Sequence, residues 1–190
     1  MAHEEQTRTF EVPDDPSSRP RRRRSTVRVL VIDDADRVLL FRDSDPGTGA
    51  TWWITPGGGI DAGESDLVAV QRELAEETGL VVNAGQVVGP LAARRVWHGY
   101  SDVVVDQHDT FYAVRTAAFE IDTSGHTEEE KLTLQESRWW SRTDLAGAAA
   151  AGEVVWPVDL TAFLELLDTP EQWPLSLPDV EESSVPVRSA

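Results

Sequence analysis

Gly58-Gly-Ile-Asp-Ala-Gly-Glu-Ser65 and, six residues on, Arg72-Glu-Leu-Ala-Glu-Glu-Thr-Gly-Leu80 decide how this chain is read. Ser65 is a good helix N-cap, and Asp66 follows in the first turn, where the helix dipole favours an anion. Gly79 stops the helix, as a glycine just past the last turn commonly does. The spacing therefore predicts a helix over 65–78. Leu67, Val70 and Leu74 form its expected core stripe. Glu73, Glu76 and Glu77 stand at i, i+3 and i+4 on another stripe, where like charges cost about 0.2–0.5 kcal/mol per pair. Arg72 lies too far round the helix to sit among all three, and the chain's one lysine is Lys131. Carboxylates clustered against local preference form a hard oxygen site suited to Mg²⁺ or Mn²⁺, although a solvated acidic face would look the same.

Outward from the helix, the chain alternates strands and helices. Thr26 to Ile32, Val38 to Arg42, Trp52 to Thr55, Val81 to Val88, Ala92 to Trp97, Val103 to Val105, Phe111 to Thr116 and Ser137 to Trp140 read as strands. Asp144 to Ala151 and Leu160 to Leu167 read as helices. This is an α/β pattern with a mixed sheet. Residues 1–24 read as a disordered arm, including the run Arg21 to Arg24, whose sharper reading is an anion-binding arm. Residues 25–167 form the folded domain and 168–190 a proline-punctuated tail that Trp173 could anchor.

The chain has 190 residues, room for one ordinary domain, and its 34 acids against 17 bases give a net charge of −17. Residues 25–167 hold 24 of the acids and 10 of the bases, so the acidity belongs to the body. Such a surface repels phosphate backbones, and no nucleic acid polymer is expected as partner. The absence of cysteine rules out disulfides, thiolate nucleophiles and Cys-type metal sites. There is no apolar run of membrane length and no apolar N-terminal segment, so a soluble, cytoplasmic protein is expected, with no membrane partner. Nothing fixes the oligomeric state, monomer and homodimer both being compatible.

The two quoted segments together read G-x5-E-x7-R-E-U-x-E-E-x-G-U, with U a bulky apolar residue. This resembles the signature of the Nudix hydrolases (MutT-like pyrophosphohydrolases) at every defined position. The Trp53-x-x-Pro56-Gly57-Gly58 entry is similar too. The resemblance implies a Nudix fold, an α/β/α sandwich with a mixed β-sheet. It also implies metal-dependent attack of water at phosphorus in a nucleoside diphosphate derivative, with Mg²⁺ or Mn²⁺ as cofactor. By the same resemblance Glu73, Glu76, Glu77 and the Gly58 carbonyl would be metal ligands. Arg72 would orient the glutamates, and Glu64 would brace the loop. The general base is left open between a helix carboxylate, Glu136 and the triplet Glu128 to Glu130.

Arg28, Arg42, Arg94 and Arg95 are the candidate cations for a diphosphate, and Trp53 leads the candidate stacking surfaces. His98 and His108 read as ordinary histidines. The Gly57-x-Gly59-x-x-Ala62 and Gly58 to Gly63 spacings mimic dinucleotide and P-loop motifs. The first lacks a helix start within it; the second has Glu64-Ser65 where lysine is needed. The markers by which Nudix subfamilies reveal their substrates are absent or displaced, leaving the nucleotide open. The alternative is a non-catalytic nucleotide-sensing module of the same fold. The isomerase branch of that fold needs a catalytic cysteine that this chain lacks.

Overall fold

The computed structural model describes residues 8–187. Strand β1 (Arg21–Ile32) is the centre of a nine-stranded mixed sheet. It pairs in parallel with β5 (Val104–Arg115) over its whole length, from Arg21 opposite Val104 to Ile32 opposite Arg115. On its other side it meets β2 (Val38–Asp45) only at Ile32 and Val38, beyond the turn Asp33 to Arg37. β2 pairs antiparallel with both β3 (Ala50–Ile54) and β6 (Glu136–Trp140). β4 (Val87–Gly99) runs antiparallel to β5, with a register shift between Val88 and Ala92. The short β7 (Val155–Trp156) joins the edge of β3.

Alternation along β1 sends its side chains to two layers. Val27, Val29 and Val31 pack with Ala69, Val70 and Leu74 of α1 (Asp66–Thr78). Leu30 and Ile32 face the opposite way, into a core with Leu145 of α3 (Arg142–Ala148) and Phe163 and Leu164 of α4 (Leu160–Leu166). Each fully buried aliphatic side chain contributes about 1.5–3 kcal/mol. Among the described residues no helix is long and apolar enough to cross a membrane.

Several boundaries differ from the sequence reading. The run Arg21 to Arg24, expected in a disordered arm, is the start of β1, because β5 offers it a parallel edge. Within the arm, residues 1–7 lie outside the described residues. Arg19 is buried and donates to the carbonyls of Tyr100, Val185 and Pro186. The expected C-terminal tail likewise forms strands and turns up to residue 187; residues 188–190 lie outside the described residues. Its β8 (Leu175–Ser176) and β9 (Val180–Glu181) extend along β4, and Trp173 Nε1 donates to the Leu166 carbonyl at 2.6 Å. Val81 and Val82 are not strand. The Asn83 side chain makes a capping box with Gln86 there, and a short 3₁₀ turn precedes β4. Val103 to Val105 and Phe111 to Thr116 merge into one strand, β5.

Candidate active site

α1 builds the site. Ser65 caps it through the Val68 N–H, and Gly79 ends it in the left-handed region at φ 74°. The buried arc is Ala69, Val70, Glu73, Leu74, Glu77 and Thr78. Leu67, expected in the core stripe, is 39% exposed, because the arc is rotated towards Glu73 and Glu77. That rotation tucks two carboxylates beneath the helix and leaves Glu76 at the rim.

Arg72 organises this cluster. Its Nε and Nη2 donate to the two Glu64 oxygens at 3.0 and 2.9 Å, a bidentate pair. Nη2 also reaches the Gly59 carbonyl at 2.7 Å, while Nη1 donates to Glu73 at 2.7 Å and Glu76 at 3.2 Å. Hydrogen bonds from Arg72 hold the Glu64 carboxyl below the usual carboxylate range. Glu77 Oε2 accepts the Gly57 N–H at 2.7 Å. Gly58 lies against Glu73, since a Cβ there would stand 2.6 Å from Oε1. Its carbonyl accepts the Val27 N–H at 3.0 Å, leaving a second lone pair.

The third carboxylate beside Glu73 and Glu77 is Glu130, not Glu76. One oxygen from each of the three lies within 4.8 Å of the others. Glu130 opens α2 (Glu130–Thr133), on a loop fastened to the end of α1. Asp122 N–H donates to the Thr78 carbonyl at 3.1 Å, and buried His126 donates from Nε2 to the Glu77 carbonyl at 2.9 Å. Gly125 leaves no room for a side chain against the Glu76 backbone. A signal for Glu130 existed in Thr127-x-x-Glu130, a capping pattern the structure forms. His126 had no signal of its own.

Burial pushes the Glu73 carboxyl up despite Arg72, and burial together with Glu73 pushes Glu77 well above the usual range. Three converging hard oxygen donors, two of them disfavoured as bare anions, fit a divalent cation.

The expected substrate contacts fare unevenly. Arg94 is buried, donating to Glu182 at 2.6 Å and Asp159 at 2.7 Å. Trp53 is buried, its Nε1 on Glu153 and its ring edge-on to Trp140. Arg28 is buried on the Thr55 and Gly57 carbonyls. These three are withdrawn from substrate because the sheet face on which they stand is covered. Arg42 is half-buried and pairs with Glu136 at 3.1 Å, which ties up that candidate base outside the carboxylate cluster. Arg95 is on Asp106 and lies 4.4 Å over the Trp97 ring. His98 is sealed inside, with Nδ1 on the Glu182 carbonyl, and His108 is exposed.

Compared with known proteins, residues 22–158 match the NUDIX domain. An RNA pyrophosphohydrolase of Legionella pneumophila (strain Corby) is 30% identical over 122 residues, which cover 60% of this chain and 62% of that protein. The chain thus spans less than two thirds of that relative's length. An RNA pyrophosphohydrolase of Novosphingobium aromaticivorans is 39% identical over 77 residues, covering 40% of this chain and 45% of that protein. The MutT protein of Methanosarcina mazei Go1 superposes with a TM-score of 0.54 at 22% identity, over 82% of this chain and 98% of its own. The dihydroneopterin triphosphate pyrophosphohydrolase of E. coli gives 0.54 at 19% identity, over 83% and 99%. These two likenesses establish a common fold.

Proposed function

Because this chain belongs to the NUDIX domain family, we propose that it is a pyrophosphohydrolase that cleaves a phosphoanhydride in a nucleoside diphosphate derivative. The observation that carries the reading is the convergence of Glu73, Glu77 and Glu130. Glu73 and Glu77, with Glu130 beside them, would hold Mg²⁺ or Mn²⁺, and the Gly58 carbonyl has a lone pair to add. A divalent ion held there supplies neutralisation of diphosphate charge and polarisation of the attacked phosphoryl group.

The protein's own part is orientation and proton transfer. Arg72 fixes Glu73 from one side, and Glu64 fixes Arg72. Glu130 is the least enclosed of the three carboxylates, and we assign it the proton of the attacking water. The water oxygen bonds to phosphorus, the proton passes to the carboxylate, and the bridging P–O bond breaks with its electrons leaving on the departing phosphate. Glu76, on Arg72 and half exposed, acts as a second orienting carboxylate.

A panel of nucleoside diphosphate derivatives with Mg²⁺ or Mn²⁺, read by chromatography, tests this directly. Turnover that vanishes in Glu77→Gln supports it. Tight nucleotide binding by calorimetry with no product over hours would favour the sensing module instead.

One surface favours a second reading of the substrate. Arg21 and Arg23 of β1, His108 of β5, and Arg95 and Trp97 of β4 share the sheet face that continues beyond α1. Arg21 and Arg95 both lie over the Trp97 ring, at 5.9 and 4.4 Å. Asp106 stands on the same face and offsets part of this charge by pairing with Arg23 and Arg95, but the exposed guanidinium groups around the Trp97 ring still suit a single strand. The 5′ end of an RNA therefore enters the panel, against the charge-based expectation of no nucleic acid.

A further inference from the structure

Arg28 is 7% exposed, and every polar contact it makes is internal. Its Nη1 donates to the Gly57 carbonyl at 3.0 Å and lies 3.4 Å from that of Thr55. Its Nε faces Asp109 at 3.9 Å. Asp109 is itself held by Gln107 Nε2 at 2.6 Å and by the Thr26 hydroxyl. Burial alone would lower the Arg28 pKa, but Asp109 and the other acids nearby more than offset it, so the cation is secure.

Gly57 joins this buried cation to the cluster. Its carbonyl is gripped by Arg28 and its N–H by Glu77 Oε2. Its φ is +126°, and a Cβ would collide with the Val27 carbonyl, so the turn lies flat on β1. Pro56 and Gly58 carbonyls accept the Val29 and Val27 N–H groups on either side. Glycine tolerates several backbone states, so the orientation of this residue depends on what its polar groups find. Among the side-chain hydrogen bonds of the described residues, Arg28 is the donor to its carbonyl.

We propose that Arg28 is a positioning residue: its guanidinium, balanced by Asp109, fixes Gly57 so that the Gly57 N–H holds Glu77 in the carboxylate cluster. This rests on the reading of that cluster as a divalent-cation site. Arg28 then acts on metal and rate through the Pro56-Gly57-Gly58 turn, without touching nucleotide.

The test uses the full chain carrying Arg28→Lys, Arg28→Met or the charge-neutral pair Arg28→Met with Asp109→Asn, each checked for folding by circular dichroism. Mn²⁺ affinity is measured by electron paramagnetic resonance without nucleotide, and kcat and KM on the best panel substrate. Mn²⁺ affinity and kcat should both fall about tenfold to a hundredfold in the Met variants, and less in Arg28→Lys, at unchanged nucleotide KM. Unchanged Mn²⁺ affinity and kcat in the folded neutral pair would overturn the proposal. So would a raised KM at unchanged kcat, which would make Arg28 a substrate contact. A wild-type protein that binds no Mn²⁺ would instead refute the metal site itself, and the proposal with it.

Discussion

Arg94 Nη2 donates to Glu182 Oε1 at 2.6 Å, and the two side chains are only 2% and 3% exposed. The pair fastens the C-terminal segment to β4, and Glu182 also accepts the Val158 N–H at 2.9 Å. Removing Arg94 leaves Glu182 either an uncompensated buried anion or, at the cost of taking up a proton, a neutral acid. Arg94→Met should therefore cost about 3–5 kcal/mol, measured by urea unfolding. Hydrogen exchange should rise first in residues 175–187.

Two buried groups beside each other respond to pH in opposite senses. Burial lowers His98 to about 4 and raises Glu182 to about 7. A lowered histidine contributes stability that is present above its unfolded value of 6.5 and lost as pH falls through about 4. A raised carboxyl contributes stability that is present below 4.5 and lost as pH rises through about 7. Between these limits the two trends offset one another. Glu182→Gln should thus be more stable at pH 6.5 than at pH 4.5 relative to wild type, and His98→Gln the reverse, by thermal melts across that range.

The carboxylate cluster links metal to pH in the same currency. Glu73 and Glu77 are raised, so the metal-free protein loses their contribution as pH rises above the ordinary glutamate value of 4.5. Mg²⁺ held there would reverse this by favouring the ionised forms. The gap in melting temperature between magnesium-loaded and chelated protein should widen from pH 5 to pH 8. In chelator, Glu77→Gln should melt higher than wild type while losing at least about a hundredfold in turnover.

Gly58 separates geometry from stability. Its backbone can accept alanine, but the new Cβ would lie 2.6 Å from Glu73 Oε1. Gly58→Ala should lower kcat about tenfold or more by displacing Glu73, with a melting temperature near wild type. Gly57→Ala, which collides with the backbone of Val27, should destabilise the fold as well.

What was legible in the sequence was what local rules express. The cap at Ser65, the stop at Gly79 and the periodicity of α1 give the helix and its acids directly. The apolar run from Thr26 gives the inner part of β1. Less legible were strands whose buried faces carry charge. Asp106, Gln107 and Asp109 interrupt the alternation of β5, yet all three are buried because Arg23, Arg95, Gln107 and Thr26 satisfy the acids. The burial of Arg28 and Arg94 was illegible for the same reason: nothing local to either announces Asp109 or Glu182. For Glu130 the capping pattern from Thr127 marks a helix start, but its place in the cluster comes from contacts of its loop with the end of α1, which no local pattern expresses.

The parallel pairing of β1 with β5 also sets the order in which the molecule can be assembled. Arg21 finds Val104 only after more than eighty intervening residues have been made, although the other edge of β1 is met earlier, by β2 at Ile32 and by the turn from Pro56 to Gly59. A nascent chain halted before β5 thus presents a bare, valine-rich edge, the kind of surface that recruits chaperones or aggregates. Such non-local closure makes for slow folding, and the carboxylate cluster cannot be complete until Glu130, still further along, has been made.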